Sequence, residues 1–206
     1  MGDSRVVDGR GGGEREDVTA VPTLETARLF LRPFTLADAP TVQEMAGDLR
    51  VSVTTLNIPH PYPEGLAREW IGTHAASAAE GGMYTFAIER KDDEALLGGI
   101  TITITRQHER AEIGYWLGFS YWNQGYTTEA ARCVVAFGFE ELGLNRIQAT
   151  HWPRNPASGR VMEKAGLLYE GTLRGYLLRK GSIEDTAIHA LLRADWEKLS
   201  VNTNSW

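Results

Sequence analysis

At 206 residues with 42% hydrophobic side chains, the chain is long enough for one domain with a substantial core, too short to expect two, and not of disordered composition. A formal charge of -6, from 27 acidic against 21 basic side chains, argues against a nucleic-acid-coating surface and suits a cationic partner. The single cysteine, Cys133, excludes an intrachain disulfide and a cysteine metal cluster, and no apolar run approaches the roughly 20 residues that span a bilayer.

Residues 1–22 open with a glycine-rich, charged stretch (DGRGGGERED) that has almost nothing to bury, and a flexible extension is expected there. Its glycines lack the lysine and serine or threonine of a Walker phosphate loop. It also lacks the apolar core of a signal peptide, so a cytoplasmic location is expected. One domain is expected over 23–199, followed by a polar tail, 200–206.

Within the domain, ARLFLRPF alternates like a strand, and TLADAPTVQEMAGD opens on a threonine cap before a helix. PEGLAREWIGTHAASAAE reads as one helix ended by Gly81 and Gly82. MYTFAIER, ALLGGITITIT and RAEIGYWLG are strands of an antiparallel meander, rich in aromatic and β-branched residues. In TTEAARCVVAFGFEELG the residues Ala131, Val134, Val135, Phe139 and Leu142 follow helical spacing, with Gly143 as the stop. Cys133 sits inside this pattern as a structural thiol rather than a nucleophile. NRIQATHW is a strand. NPASGRVMEKAG is a short helix with Asn155 as cap, Pro156 in its first position and Gly166 at its end. LLYEGTLRGYLLR and IEDTAIHALL form a final hairpin through Lys180, Gly181 and Ser182. The expected fold is a mixed α/β domain, a meander followed by a strand–helix–strand crossover.

The stretch SYWNQGYTTEAA sets a glycine among aromatics and runs straight into a helix. Successive amides at a helix start, aided by the helix dipole, make a site for phosphate oxygens. Gly125 lets the backbone approach such a ligand without a Cβ in the way.

This segment resembles the acyl-CoA pyrophosphate loop of the GNAT superfamily of N-acetyltransferases. ETARLFLRPF, AEIGYWL, WNQGYTTEA, NPASGRVMEKAGL and EGTLR, in that order, are similar to the branch of ribosomal-protein N-terminal acetyltransferases. The resemblance spans about Leu24 to Trp196 and implies a V-shaped splay between the two central strands. One departure is Thr127, where the family usually has glycine or alanine. By this resemblance Gln124, Gly125, Tyr126, Thr127 and Thr128 would hold the pyrophosphate of acetyl-CoA, largely through main-chain amides. Tyr115, Trp116 and Leu117 would pair with the pantetheine arm through their backbone, as an added strand would. Ordinary edge packing of their side chains is compatible with that.

Acetyl transfer to an amine needs a neutral nucleophile, a stabilised oxyanion and departure of the CoA thiolate. Glu112, on the strand entering the slot, is the candidate base; the alternative is a strand glutamate paired with Arg110. His108 and His151 have the better intrinsic pKa but less suitable positions. Asn155 and Ser158 form N-x-x-S at a helix start, which capping alone would explain. In the resembling family this asparagine contacts pantetheine and the serine lies near the sulfur. Met162 holds the place where many members carry a tyrosine acid, which leaves Ser158 as the proton donor or hydrogen-bond stabiliser. Arg160 and Lys164, one turn apart, either meet CoA phosphates or form a solvated face. For the acceptor, Tyr62, Trp70 and Tyr176 are the expected pocket residues, with Asp185 near the last hairpin. His189 replaces an aromatic residue expected from the family.

The activity implied is direct acetyl transfer in a ternary complex to a protein or peptide α-amine. A small-amine acetyltransferase and a non-catalytic acyl-CoA sensor are the alternatives. No metal is expected, since the five histidines form no close ligand pair, and no G-x-S-x-G elbow is present. Neither nucleic acid nor membrane is an expected partner, and a homodimer is compatible with the sequence.

Overall fold

The computed structural model of the chain describes residues 20–202. The glycine-rich extension, apart from its last three residues, and the end of the polar tail lie outside them. Eight strands form one sheet: β1 (Leu24–Glu25), β2 (Leu29–Pro33), β3 (Met83–Arg90), β4 (Leu96–Thr105), β5 (Arg110–Leu117), β6 (Arg146–His151), β7 (Leu168–Arg179) and β8 (Ser182–Leu192). Their spatial order is β1-β2-β3-β4-β5-β6-β8-β7. Every pairing is antiparallel except β5 with β6. That one parallel pair is spanned by the long helix α5 (Tyr126–Glu140), because parallel neighbours need a crossover.

The parallel pairing lasts only three residues, Arg110–Glu112 against Arg146–Gln148. Beyond it β5 continues to Leu117 on its β4 side, while β6 follows β8. The expected splay therefore opens at Glu112 and Gln148.

Helices cover both sheet faces. The larger core joins alternate strand residues such as Phe86, Ile88, Ile100, Ile102 and Ile113 to Ala131, Val134, Val135 and Phe139 of α5. The smaller core lies on the other face, where Ala87 of β3 meets Val42 and Ala46 of α1 (Ala39–Gly47) and Ile71 of α3 (Leu66–Gly72). Burial on both faces explains the unbroken buried run Tyr84–Ile88.

Local signals set the helix ends. Before α6 (Pro156–Lys164) the Asn155 side chain accepts from the Ser158 amide at 3.4 Å, and Pro156 begins the helix. Thr35 opens a short 3-10 turn, Leu36–Asp38, and its N–H donates to the Asp38 carboxylate at 2.7 Å. That carboxylate also takes two bonds of 2.9 Å from Arg32, which hold it below the usual carboxylate range against the opposing effect of burial.

Three elements differ from expectation. The single helix after Pro63 is two, α3 and α4 (His74–Ala79), broken at Thr73, whose hydroxyl donates to the Trp70 carbonyl at 2.8 Å. Such local bonding competes with helix continuation. A short helix, α2 (Leu49–Ser52), stands in the loop after α1. The chain's last helix, α7 (Arg193–Asn202), runs three residues into the stretch read as tail; Trp196 anchors it by stacking on Phe139 at 5.3 Å.

Candidate active site

Alternation along β5 divides the site. Glu112, Gly114 and Trp116 face the side covered by α1 and α3, whereas Ile113, Tyr115 and Leu117 face α5 and α6. The sheet would separate these sides, but the splay connects them. A cavity of about 630 Å³ lies chiefly on the first side, lined among others by Tyr62, Trp70, Glu112, Thr150 and Thr186. A second, of about 270 Å³, runs toward the start of α5 past Asn123, Gly125, Thr127 and Thr128. Both are bordered by Thr54, Thr55, Tyr115, Trp116, Asn155 and Ser158, which form the throat between them.

At the far end of the narrow cavity Gly125 has φ +82, a left-handed conformation open to glycine at little cost. A Cβ there would stand 3.4 Å from Arg28 Nη2, an ordinary contact, so the glycine is required by conformation rather than by crowding. Helix α5 starts with no side-chain cap, which leaves the amides of Tyr126, Thr127 and Thr128 without a capping partner beside the groove that Thr127 and Thr128 line.

The loop is braced from behind. Glu129 accepts from Thr26 Oγ1 at 2.6 Å, the Arg28 amide at 2.8 Å and Arg28 Nε at 2.7 Å, while Arg28 Nη1 donates to the Gln124 carbonyl at 3.2 Å. Those bonds hold Glu129 below the usual carboxylate range although burial opposes them. The neutralised pair keeps a bare carboxylate away from a helix end suited to anions.

Of the five loop residues expected to hold phosphate, Gly125, Thr127 and Thr128 line the groove. The Gln124 side chain turns back to the Ser120 carbonyl, at 2.9 Å. The Tyr126 ring is buried and its hydroxyl accepts from Arg90 at 3.3 Å, so its side chain is turned away from the groove. Trp116 and Leu117 border the same groove, but the Leu117 carbonyl already accepts from the Trp122 indole at 2.9 Å, which closes that end of the strand edge. Arg160 and Lys164 line the groove; the sequence pattern missed Asn123 and the aromatic wall of Tyr121 and Trp122.

At the throat, the Tyr115 hydroxyl lies 3.0 Å from Ser158 Oγ and 3.1 Å from the Ser158 carbonyl. Burial pushes the Tyr115 phenol well above its usual range, against the opposing effect of Ser158. Asn155 spends its Oδ1 on the α6 cap, so its amide NH₂ remains available to the cavity.

Glu112 stands where the strands part. Its carboxylate accepts from Gln148 Nε2 at 3.2 Å and from Thr150 Oγ1 at 3.0 Å, both on β6, rather than pairing with Arg110. Among the described residues it is the one carboxylate lining the wide cavity.

His151 also reaches that cavity, with Nδ1 2.8 Å from the Trp152 carbonyl. A Cβ at Gly159 would come within 2.8 Å of its Nε2, so this glycine admits the ring, a requirement no local pattern announces. His108 lies exposed in a 3-10 turn and lines neither cavity. Tyr176 does not line the wide cavity. The β7 register shifts between Leu173 and Leu177, so Leu177 faces the cavity and Tyr176 lies 59% exposed. Asp185 is turned outward to the Gly175 amide, at 2.8 Å. His189 is buried beside His151 and Tyr169, ring centroids 5.3 Å away in each case, and burial holds its pKa down.

Residues 52–55 form a strap beside the wide cavity. Arg179 donates to the carbonyls of Ser52 (2.5 Å) and Thr55 (3.0 Å), Arg154 to that of Val53 (3.3 Å), and Lys180 to Ser52 Oγ (3.1 Å). Cys133 lines neither cavity, and burial first, then Glu129 and Glu140, push its thiol up to about 11. Among the described residues no three His, Cys, Asp or Glu side chains gather as metal ligands, and no helix is long and apolar enough to cross a membrane.

One groove headed by a helix N-terminus and another holding a carboxylate, joined at a throat, is the layout of a two-substrate group transferase. Residues 28–168 match the family model of the acetyltransferase (GNAT) domain. The uncharacterized N-acetyltransferase YoaA of Bacillus subtilis is 34% identical over 84% of this chain and 97% of its own. The [ribosomal protein uS5]-alanine N-acetyltransferase of Escherichia coli is 24% identical over 66% of this chain and 71% of its own. Mycobacterium smegmatis RimJ, solved with a CoA-disulfide, shares the fold with a TM-score of 0.77, at 24% identity, over 91% of this chain and 98% of that one. The chain belongs to the GNAT family of acetyltransferases and is an N-acetyltransferase.

Proposed function

We propose that the narrow groove binds acetyl-CoA, that the wide cavity binds the α-amine of a peptide or protein N-terminus, and that transfer is direct. The observation that carries this reading is the throat, where Tyr115, Asn155 and Ser158 border both cavities at once. The pyrophosphate would take the free amides of Tyr126 to Thr128, and the unpaired edge of β5 beyond Glu112 suits the amides of pantetheine.

The amine enters from the other face. Glu112, held by Gln148 and Thr150, takes its proton directly or through one water. The nitrogen attacks the thioester carbonyl, the C–N bond forms, the C–S bond breaks with its electron pair passing to sulfur, and the second proton that the nitrogen sheds to become a neutral amide passes to solvent. Ser158 donates a hydrogen bond toward the sulfur as charge collects there. The thiol's reference pKa of about 8.5 makes it a fair leaving group.

The acceptor follows from charge. A polyamine or aminoglycoside carries several cations, and the wide cavity offers the single carboxylate of Glu112 among aromatic and aliphatic walls. That suits one amine on an otherwise neutral chain end. An α-amine is also about two and a half pKa units easier to deprotonate than lysine, roughly 3.4 kcal/mol at neutral pH. The similarity to an acetyltransferase of a ribosomal-protein alanine agrees with this choice.

The test offers acetyl-CoA with N-terminal peptides, N-blocked lysine peptides, and small polyamines or aminoglycosides, following CoA release. Peptide α-amines should be preferred. A small amine used about a hundredfold more efficiently (about 2.7 kcal/mol) would establish the detoxification reading instead. Binding of acetyl-CoA without turnover on any amine would establish the sensor.

A further inference from the structure

Ser158 alone is a poor instrument for stabilising a leaving thiolate. Its hydroxyl rotates about one bond, and a donor aimed elsewhere when charge develops contributes little. The six residues shared by the two cavities show what holds it. Thr54 and Thr55 turn their hydroxyls onto carbonyls of the strap and α2, at 2.9 Å from Thr54 and 3.3 Å from Thr55 to Val51. Asn155 has its oxygen on the Ser158 amide. The phenol of Tyr115 is the group that meets the Ser158 hydroxyl, at 3.0 Å, and it arrives from β5, a different element.

We propose that Tyr115 is a positioning residue for acyl transfer, holding the Ser158 hydroxyl in the orientation that donates to the thioester sulfur. This rests on the acetyl-CoA reading of the narrow groove. Two hydroxyls share two hydrogens. If the phenol donates to Ser158 Oγ, the serine hydrogen is free for sulfur and is polarised by the bond behind it. If it donates to the Ser158 carbonyl, 3.1 Å away, the serine hydrogen rests on the phenol oxygen until sulfur competes for it. In either case the same pair fixes where that hydrogen can point.

The phenol lends a hydrogen bond and not a proton. Burial raises its pKa, and the CoA thiolate, whose conjugate acid has a pKa of about 8.5, is a weaker base than the phenolate, so a proton passed from Tyr115 through Ser158 to sulfur would run uphill. Both hydroxyls begin and end the step protonated, and CoA leaves as thiolate to be protonated from solvent. Met162, buried one turn beyond Ser158 on α6, offers no hydroxyl of its own.

The experiment is a double-mutant cycle of Tyr115→Phe and Ser158→Ala in the full chain, with kcat and KM for acetyl-CoA measured on the best peptide acceptor and acetyl-CoA affinity by calorimetry. Tyr115→Phe should lower kcat about tenfold and leave acetyl-CoA affinity within about twofold, since one hydrogen bond is removed from a ring that keeps its packing. The loss should be uniform between about pH 6 and about pH 9, because no proton leaves the phenol. In the Ser158→Ala background the same change should cost less than about twofold. Equal losses in the two backgrounds, or a loss confined to acetyl-CoA affinity, would overturn the proposal and leave the acetyl-CoA reading intact. Failure of the wild-type chain to bind acetyl-CoA would overturn both.

Discussion

Replacing Gly125 by valine perturbs the narrow groove at its most constrained point. At φ +82 an L-residue bears about 1–2 kcal/mol of strain, more when β-branched, and the chain can relieve it by rotating the peptide units that begin α5. Each amide turned away from a pyrophosphate oxygen forfeits a charged hydrogen bond of about 1.5–3 kcal/mol. Loss of two such bonds weakens acetyl-CoA binding roughly a hundredfold to ten-thousandfold. Crowding adds little, because the nearest atom to the new Cβ is the end of the flexible Arg28 side chain. Titration calorimetry with acetyl-CoA gives the affinity, and circular dichroism checks the helix. Gly143→Val is the control: Gly143 also has positive φ, +67, beyond the other end of α5, so it shares the strain without the ligand. Unchanged affinity in Gly125→Val, with helix content preserved, would remove the pyrophosphate from this loop. Equal weakening in both variants would reduce the effect to general destabilisation.

Two further outcomes are expected. Glu112→Gln should lower turnover up to about a hundredfold near pH 6.5 and only a fewfold near pH 9, because neutral amine is scarce at low pH; a flat ratio across the range would show that Glu112 is not the base. Burial lowers the His74 pKa to about 4, so below its unfolded value of 6.5 the unfolded chain binds the proton first. Stability present above about pH 6.5 is then lost as pH falls toward about 4, by about 3 kcal/mol in all. Thermal melts against pH should show His74→Leu less acid-sensitive than the wild type; parallel curves would refute the assignment.

The meander, the crossover and the glycine-led start of α5 were legible because each is written in neighbouring residues. So was the cap on α6, since N-P-x-S places a side-chain acceptor three residues before its amide donor. What escaped depends on pairs far apart in the chain. Arg28 reaches Glu129 across 101 residues, and Tyr115 reaches Ser158 across 43. Tyr176 lies outside the cavity lining for a different reason: strand parity decides which side chain faces a cavity, and an irregularity between Leu173 and Leu177 resets the count. Helix α7 was missed because its stretch carries only a weak apolar stripe; its docking depends on Trp196 finding Phe139.

From outside, the strap beside the wide cavity is gripped chiefly at its carbonyl oxygens, with Ser52 Oγ also accepting from Lys180; from within, the Thr54 and Thr55 hydroxyls bond the carbonyls of Val51 and Ser52. Every residue has a carbonyl, so Arg154 and Arg179 grip the strap without regard to the side chains at 53–55. Position 53 can therefore change while the arginines keep hold of the backbone, whereas Thr54 and Thr55 both brace the strap and border the cavities. Because Thr54 and Thr55 border the narrow groove as well as the wide cavity, a substitution at either reshapes both sides of the throat at once, while the arginine grip on the strap's backbone stays in place.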